Sequence, residues 1–110
     1  MRKHSSSAEK HAKYFEAIIQ LRPADQKLVS YVYKMIEARP DVFISDQKKV
    51  KTGIDIYLSS WRVAMAIGKR LTKTFSGNVK ISRSLHTRSH MTSKDIYRVT
   101  VLFRLKNEDL

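Results

Sequence analysis

YFEAIIQLRPADQKLVSYVYKMIEARP, residues 14–40, changes its hydrophobic period halfway along. Before Pro23 the period is two, and alternation sends Phe15, Ala17, Ile19 and Leu21 to one face of a strand. After it, Leu28, Val32, Met35 and Ile36 recur at helical spacing; Pro23 suits a first helical turn and Pro40 stops the helix. The rest of the chain supplies a second round of the same kind. VFISDQ (42–47) and GIDIYLS (53–59) read as two strands joined by a Lys-rich turn ending in Gly53. Ser59 or Ser60 caps a second helix, WRVAMAIGKRLTKTF (61–75), with Ala64, Ile67, Leu71 and Phe75 as its buried stripe and Gly77 as its end. NVKISRSL (78–85) and DIYRVTVLFRL (95–105) follow as strands, the last with Tyr97, Val99, Val101, Phe103 and Leu105 on a common face.

The order is βαββαββ. It predicts an α+β fold: a ferredoxin-like two-layer sandwich, with two helices on one face of an antiparallel sheet and a fifth strand extending it. At 110 residues the chain can bury one core. Residues 14–105 are expected to form that domain, with a flexible basic tail at 1–13 and a short tail at 106–110. If Ile54, Ile56, Val79, Ile81, Val99 and Val101 face the helices, strand alternation turns Tyr57, Lys80, Ser82, Arg98, Thr100 and Arg104 to the opposite face.

Twenty-two lysines and arginines against ten acids give a formal charge of +12, which raises the local concentration of polyanions and makes nucleic acid the expected partner. Cysteine is absent, so disulfides and thiolate-ligated zinc are excluded, and the composition fits a reducing interior. Apolar runs fall well short of the roughly 20 residues that span a bilayer, and MRKHSSSAEK lacks the apolar core of a secretion signal, which predicts a soluble, cytoplasmic protein that binds no membrane.

The residues offer no converging set of acids, bases or metal ligands, so catalysis, a cofactor, a metal and a small-molecule substrate are not expected. His86 and His90 are four apart, but that spacing aligns ligands on a helix and these lie in a hairpin. The Gly68–Lys69 pair lacks the spaced glycines of a phosphate-binding loop. Asp41, Asp46 and Asp55 surround the middle hairpin, where solvation or pairing with Lys48 and Lys51 accounts for them. The cations are better organised. Lys69 and Lys73 share a helical stripe with Arg62, Arg70 lies at its side, and the two hairpins add Lys48, Lys49 and Lys51, then Arg83, Arg88 and Lys94. With Arg98 and Arg104 on the far sheet face, these are the expected phosphate contacts. That face shows one aromatic, Tyr57, rather than the paired aromatics on which RNA-recognition domains stack bases.

Four stretches, YFEAIIQLR (14–22), GIDIYLSS (53–60), IGKRLTKTFSGNVKISRSL (67–85) and YRVTVLFRL (97–105), together resemble the NMD-three family of large-ribosomal-subunit export adaptors, most closely its archaeal form. In that family the equivalent of YFEAIIQL lies just downstream of zinc-binding cysteine pairs, and β-rich domains follow the equivalent of YRVTVLFRL. This chain has no such cysteines, so it resembles one internal domain. The resemblance implies binding to the large ribosomal subunit and its RNA, in biogenesis, export or quality control, with ribosomal proteins as further partners. The alternative is a protein-interaction domain that docks a neighbouring domain or ribosomal protein through its sheet face. Because every apolar stripe lies within residues 14–105, the domain is predicted to fold without zinc. Its thermal unfolding should stay cooperative and unshifted in excess chelator; a chelator-induced loss of the transition would contradict this.

Overall fold

A computed structural model describes residues 14–88 and 95–106, with side chains as far as Leu85 and again from Tyr97. The expected tail at 1–13, residues 107–110 of the second tail, His90 and Lys94 lie outside the described residues. Seven elements follow one another: β1 (Ala17–Arg22), α1 (Gln26–Glu37), β2 (Ile44–Val50), β3 (Gly53–Leu58), α2 (Trp61–Thr74), β4 (Gly77–Arg88) and β5 (Asp95–Leu105).

The architecture is α+β, with two helices and one five-stranded sheet in the order β2-β3-β1-β5-β4. The sheet is mixed, which corrects the antiparallel expectation: β1 pairs antiparallel with β3 but parallel with β5. The last strand does not extend the sheet at its margin either. It inserts beside β1, and β4 takes the edge. Composition explains the exchange. Val99, Val101 and Phe103 of β5 are almost fully buried, and an interior lane buries such a strand more completely than an edge; β4, with Lys80, Ser82, Arg83 and Ser84, tolerates water. Since β4 and β5 form an antiparallel hairpin, a β4 displaced outward by one lane returns β5 parallel to β1.

The core lies between sheet and helices. Ala17, Ile19 and Leu21 of β1 stand opposite Leu58, Ile56 and Ile54 on one side and Val99, Val101 and Phe103 on the other, forming three buried rows. Leu28, Val32 and Ile36 of α1 and Val63, Ala64, Ile67 and Leu71 of α2 close over them. The α1 start differs from the expectation. Asp25 is the N-cap, its carboxylate accepting from the Lys27 and Leu28 amides at 3.1 and 3.2 Å, so Pro23 lies ahead of the helix and not in its first turn. For α2 the cap is Ser60, whose Oγ accepts from Val63 N at 3.3 Å; Ser59 Oγ instead accepts from Phe43 N.

Four more positions depart from the sequence pattern. Lys48 and Lys49 belong to β2, which runs to Val50, leaving a tighter turn at Lys51–Thr52. Phe15 precedes β1 and leaves its alternation: the ring meets Tyr57, on the face away from the helices, because the two-residue period applies only from Ala17 onward. Ile81 pairs with buried Val101 yet is 38% exposed, since β4 is an edge and α2, which packs over Val79 and Val101 at Gly68, does not cover it.

Gly77 does not end α2, which is capped by Phe75; it begins β4, where a Cβ would lie 2.6 Å from the Arg104 carbonyl and the Phe103 ring. Gly53 is more constrained, for a Cβ there would sit 1.9 Å from the Leu21 carbonyl oxygen. Backbone cannot yield as a flexible side chain does. Gly53→Ala is therefore expected to destabilise the domain by roughly 3 kcal/mol, the upper part of the overpacking range, measured by urea denaturation; a change below about 1 kcal/mol would show that β1 and β3 do not approach this closely.

Candidate nucleic-acid interface

The expected cations do not form one patch, because strand alternation divides them. Lys48 stands opposite Asp55 and Lys49 opposite Ile54, so adjacent lysines leave β2 on opposite faces of the sheet. Three surfaces result.

On the helical layer, Lys69, Arg70 and Lys73 of α2 meet the end of α1 across a groove of about 470 Å³ floored by Met35, Ala38, Ala66 and Ile67. Arg39, just past α1, completes its rim. Four cations line this groove, and among the described residues no carboxylate does. Helical spacing puts Lys69 and Lys73 on one side, and Arg70 turns toward Tyr31. Thr74, hydrogen-bonded to the Tyr31 hydroxyl at 3.0 Å, and then Arg70 hold that phenol below its ordinary range. Arg62 takes no part in the groove; its guanidinium lies 5.3 Å from the Trp61 ring centre at the start of α2. Lys49 and Lys51 border a second groove, about 480 Å³, between the start of α1 and the β2–β3 turn.

No helix among the described residues covers the other sheet face. Here Arg98 lies 3.8 Å from the centre of the Phe15 ring and Lys48 5.2 Å from that of Tyr57, while the two rings meet edge-to-face at 4.9 Å. Arg98 Nε also donates to the Phe15 carbonyl at 3.4 Å. Lys80 and Arg104 are exposed on the same face. Asp55 pairs with Arg22 at 2.7 Å, not with Lys48 or Lys51, since Arg22 reaches inward and also donates to the Leu21 and Ile54 carbonyls. Asp46 accepts from the Gln47 amide next to it.

The third surface is the β4–β5 hairpin. Arg83 is on β4, as expected, and its guanidinium lies 4.8 Å from the Tyr97 ring centre, on the helix side of the sheet beside exposed Leu85. Arg88 is the last residue of β4, opposite Asp95; its side chain and the whole of Lys94 lie outside the described residues.

Sequence reasoning missed Arg39 and Phe15 as members of these surfaces, and it turned Lys80 to the uncovered face without counting it among the phosphate contacts. Lys80 was legible from strand period. Arg39 and Phe15 lie outside regular elements, where no period assigns a direction. Among the described residues no group of three potential metal ligands converges, and no helix is long and apolar enough to cross a membrane.

The model for NMD3, second domain, matches residues 14–105. No curated protein gives a match to the chain. The Arg22–Asp55 bridge, whose side chains are 16% and 15% exposed, is a structural pair within the candidate face. Asp55→Asn should cost about 1–2 kcal/mol, as expected for a lost charge-assisted hydrogen bond, and Asp46→Asn only a few tenths, as at exposed positions. Equal losses, read from chemical denaturation, would contradict a specific role for Asp55.

Proposed function

The chain belongs to the NMD3 family of ribosome adaptors, and from that premise we propose that it is a non-catalytic module binding the large ribosomal subunit through RNA phosphates. The observation that carries this reading is the groove between the helices. Lys69, Arg70, Lys73 and Arg39 surround a small apolar floor with no opposing carboxylate among the described residues, so their positive potentials add. Lysine and arginine head groups at the end of long stems reach a phosphate backbone without requiring a base sequence. Arg83, Arg88 and Lys94 add a second set of phosphate contacts from the β4–β5 hairpin. The partner is ribosomal RNA in the cytoplasm, during assembly, export or quality control of the subunit.

The protein-docking alternative draws on one feature, the partly exposed Ile18 and Leu102 in the middle of the uncovered face. Salt dependence separates the two. Phosphate contacts release counterions, whereas a largely apolar interface does not. Replacing Lys69, Arg70 and Lys73 together by Ala should weaken binding to large subunits and to ribosomal RNA and lower the logarithmic salt slope by roughly 2–3, about one per phosphate contact. The melting temperature should stay near that of the parent. Unchanged affinity and slope in the triple variant would overturn the groove assignment.

A further inference from the structure

We infer that the uncovered sheet face takes the backbone of double-helical RNA across its wide, shallow groove, and does not read unpaired bases by stacking. The inference rests on the ribosomal-RNA reading and names the form of RNA that this face fits. An aromatic platform for single strands needs a free π-face for each base. Here Arg98 already lies over Phe15 and Lys48 over Tyr57, and the rings meet each other edge-to-face. A base could stack only by displacing a cation, which loses both the cation–π contact and a phosphate contact. The rings instead hold the cations in place.

The register supplies the second argument. Lys48, Asp55, Gln20, Leu102 and Lys80 stand in one row across all five strands. With strands about 4.8 Å apart, the row sets a lysine at each edge, roughly 19 Å from the other. The side groove of A-form RNA is wide and shallow, bordered by phosphates on both sides and floored by 2′-hydroxyls and base edges. A broad face with a cation at either margin matches that profile; Gln20 and Thr100 between the margins, with Ser82 beside Lys80 on β4, offer an amide and hydroxyls to the 2′-hydroxyls. Charge agrees. The described residues of this face include Arg22, Lys48, Lys80, Arg98 and Arg104 against Asp46 and Asp55, the latter neutralised by Arg22. Lys48 stands two residues from Asp46 and offsets it at that margin.

The test uses the 110-residue chain and three labelled probes, an RNA duplex of about 20 base pairs, long enough for two groove crossings, the DNA duplex of the same sequence, and the single RNA strand. Fluorescence anisotropy should show the RNA duplex bound about tenfold more tightly than either other probe. Lys48→Gln with Lys80→Gln should weaken duplex-RNA binding about tenfold at about 0.1 M salt and lower the slope by roughly 2; both side chains are exposed, and an unchanged melting curve shows the variant folded. Tyr57→Leu should leave single-strand affinity unchanged. A preference for the single strand that Tyr57→Leu abolishes would overturn the inference in favour of stacking. Duplex binding that the Lys48/Lys80 variant retains but the groove triple variant loses would overturn it while leaving the ribosomal-RNA reading intact. Failure to bind any RNA, with large subunits still bound, would overturn both.

Discussion

Everything in this domain depends on β1 being paired on both sides. Its three apolar residues, Ala17, Ile19 and Leu21, each belong to a buried row that continues into β3 and β5, so the core is assembled around a six-residue strand. Burying Ile19 and Leu21 contributes about 1.5–3 kcal/mol each, and the rows also fix register, because a slip by one residue would turn Ile18 and Gln20 into the core. Gly53 lets β3 approach β1 closely, and the Arg22–Asp55 bridge fastens the same end of that pair. The parallel β5 completes the arrangement by covering the second edge of β1 with the buried residues Val99, Val101 and Phe103.

That packing decides where charge can go. With the apolar strands inside, the polar strands β2 and β4 become the two edges, and their lysines and arginines discourage edge-to-edge pairing with another chain. In the proposed reading the same cations serve recognition. Pleating then distributes them to both sides of the sheet, so Lys48 and Lys49 lie on different surfaces although they are neighbours in sequence. A net charge that looks diffuse in composition becomes, in three dimensions, a four-cation groove on the helical layer and an aromatic-braced cationic face on the other. Such a molecule offers cations to phosphates on two sides, which is what the proposed RNA binding requires.

Much of this was legible in the residues. The change of period at Pro23 marked the passage from β1 to α1, and the alternation of Tyr97, Val99, Val101 and Phe103 identified β5 and its inward face, which is buried from Val99 to Phe103 while Tyr97 stays exposed. The four resembling stretches pointed to the family whose model matches residues 14–105. What was not legible was lane order. A hairpin pattern states that β4 and β5 pair, but whether the pair joins the sheet through β4 or β5 depends on which strand gains more from an interior lane, a property of the assembled core. Local exceptions were hidden for a related reason: Phe15 lies one step outside the period that would orient it, and Arg39 joins the α2 cations only because the two helices cross there. Asp55 pairs with Arg22 although Lys48 stands opposite it on β2, because Arg22 is also held by the Leu21 and Ile54 carbonyls while Lys48 lies over Tyr57.

The central claim is that cations held by this fold grip RNA on two separate surfaces. Amide chemical-shift mapping on the isotopically labelled chain, titrated with a ribosomal-RNA duplex at low and then raised salt, tests it most directly. The account predicts the largest shifts at Lys69–Lys73 and along the Lys48 to Lys80 row, both fading as salt rises, with little change at Tyr14, Asp41 and Phe43. Shifts confined to that last group, or shifts that persist undiminished at high salt, would contradict it.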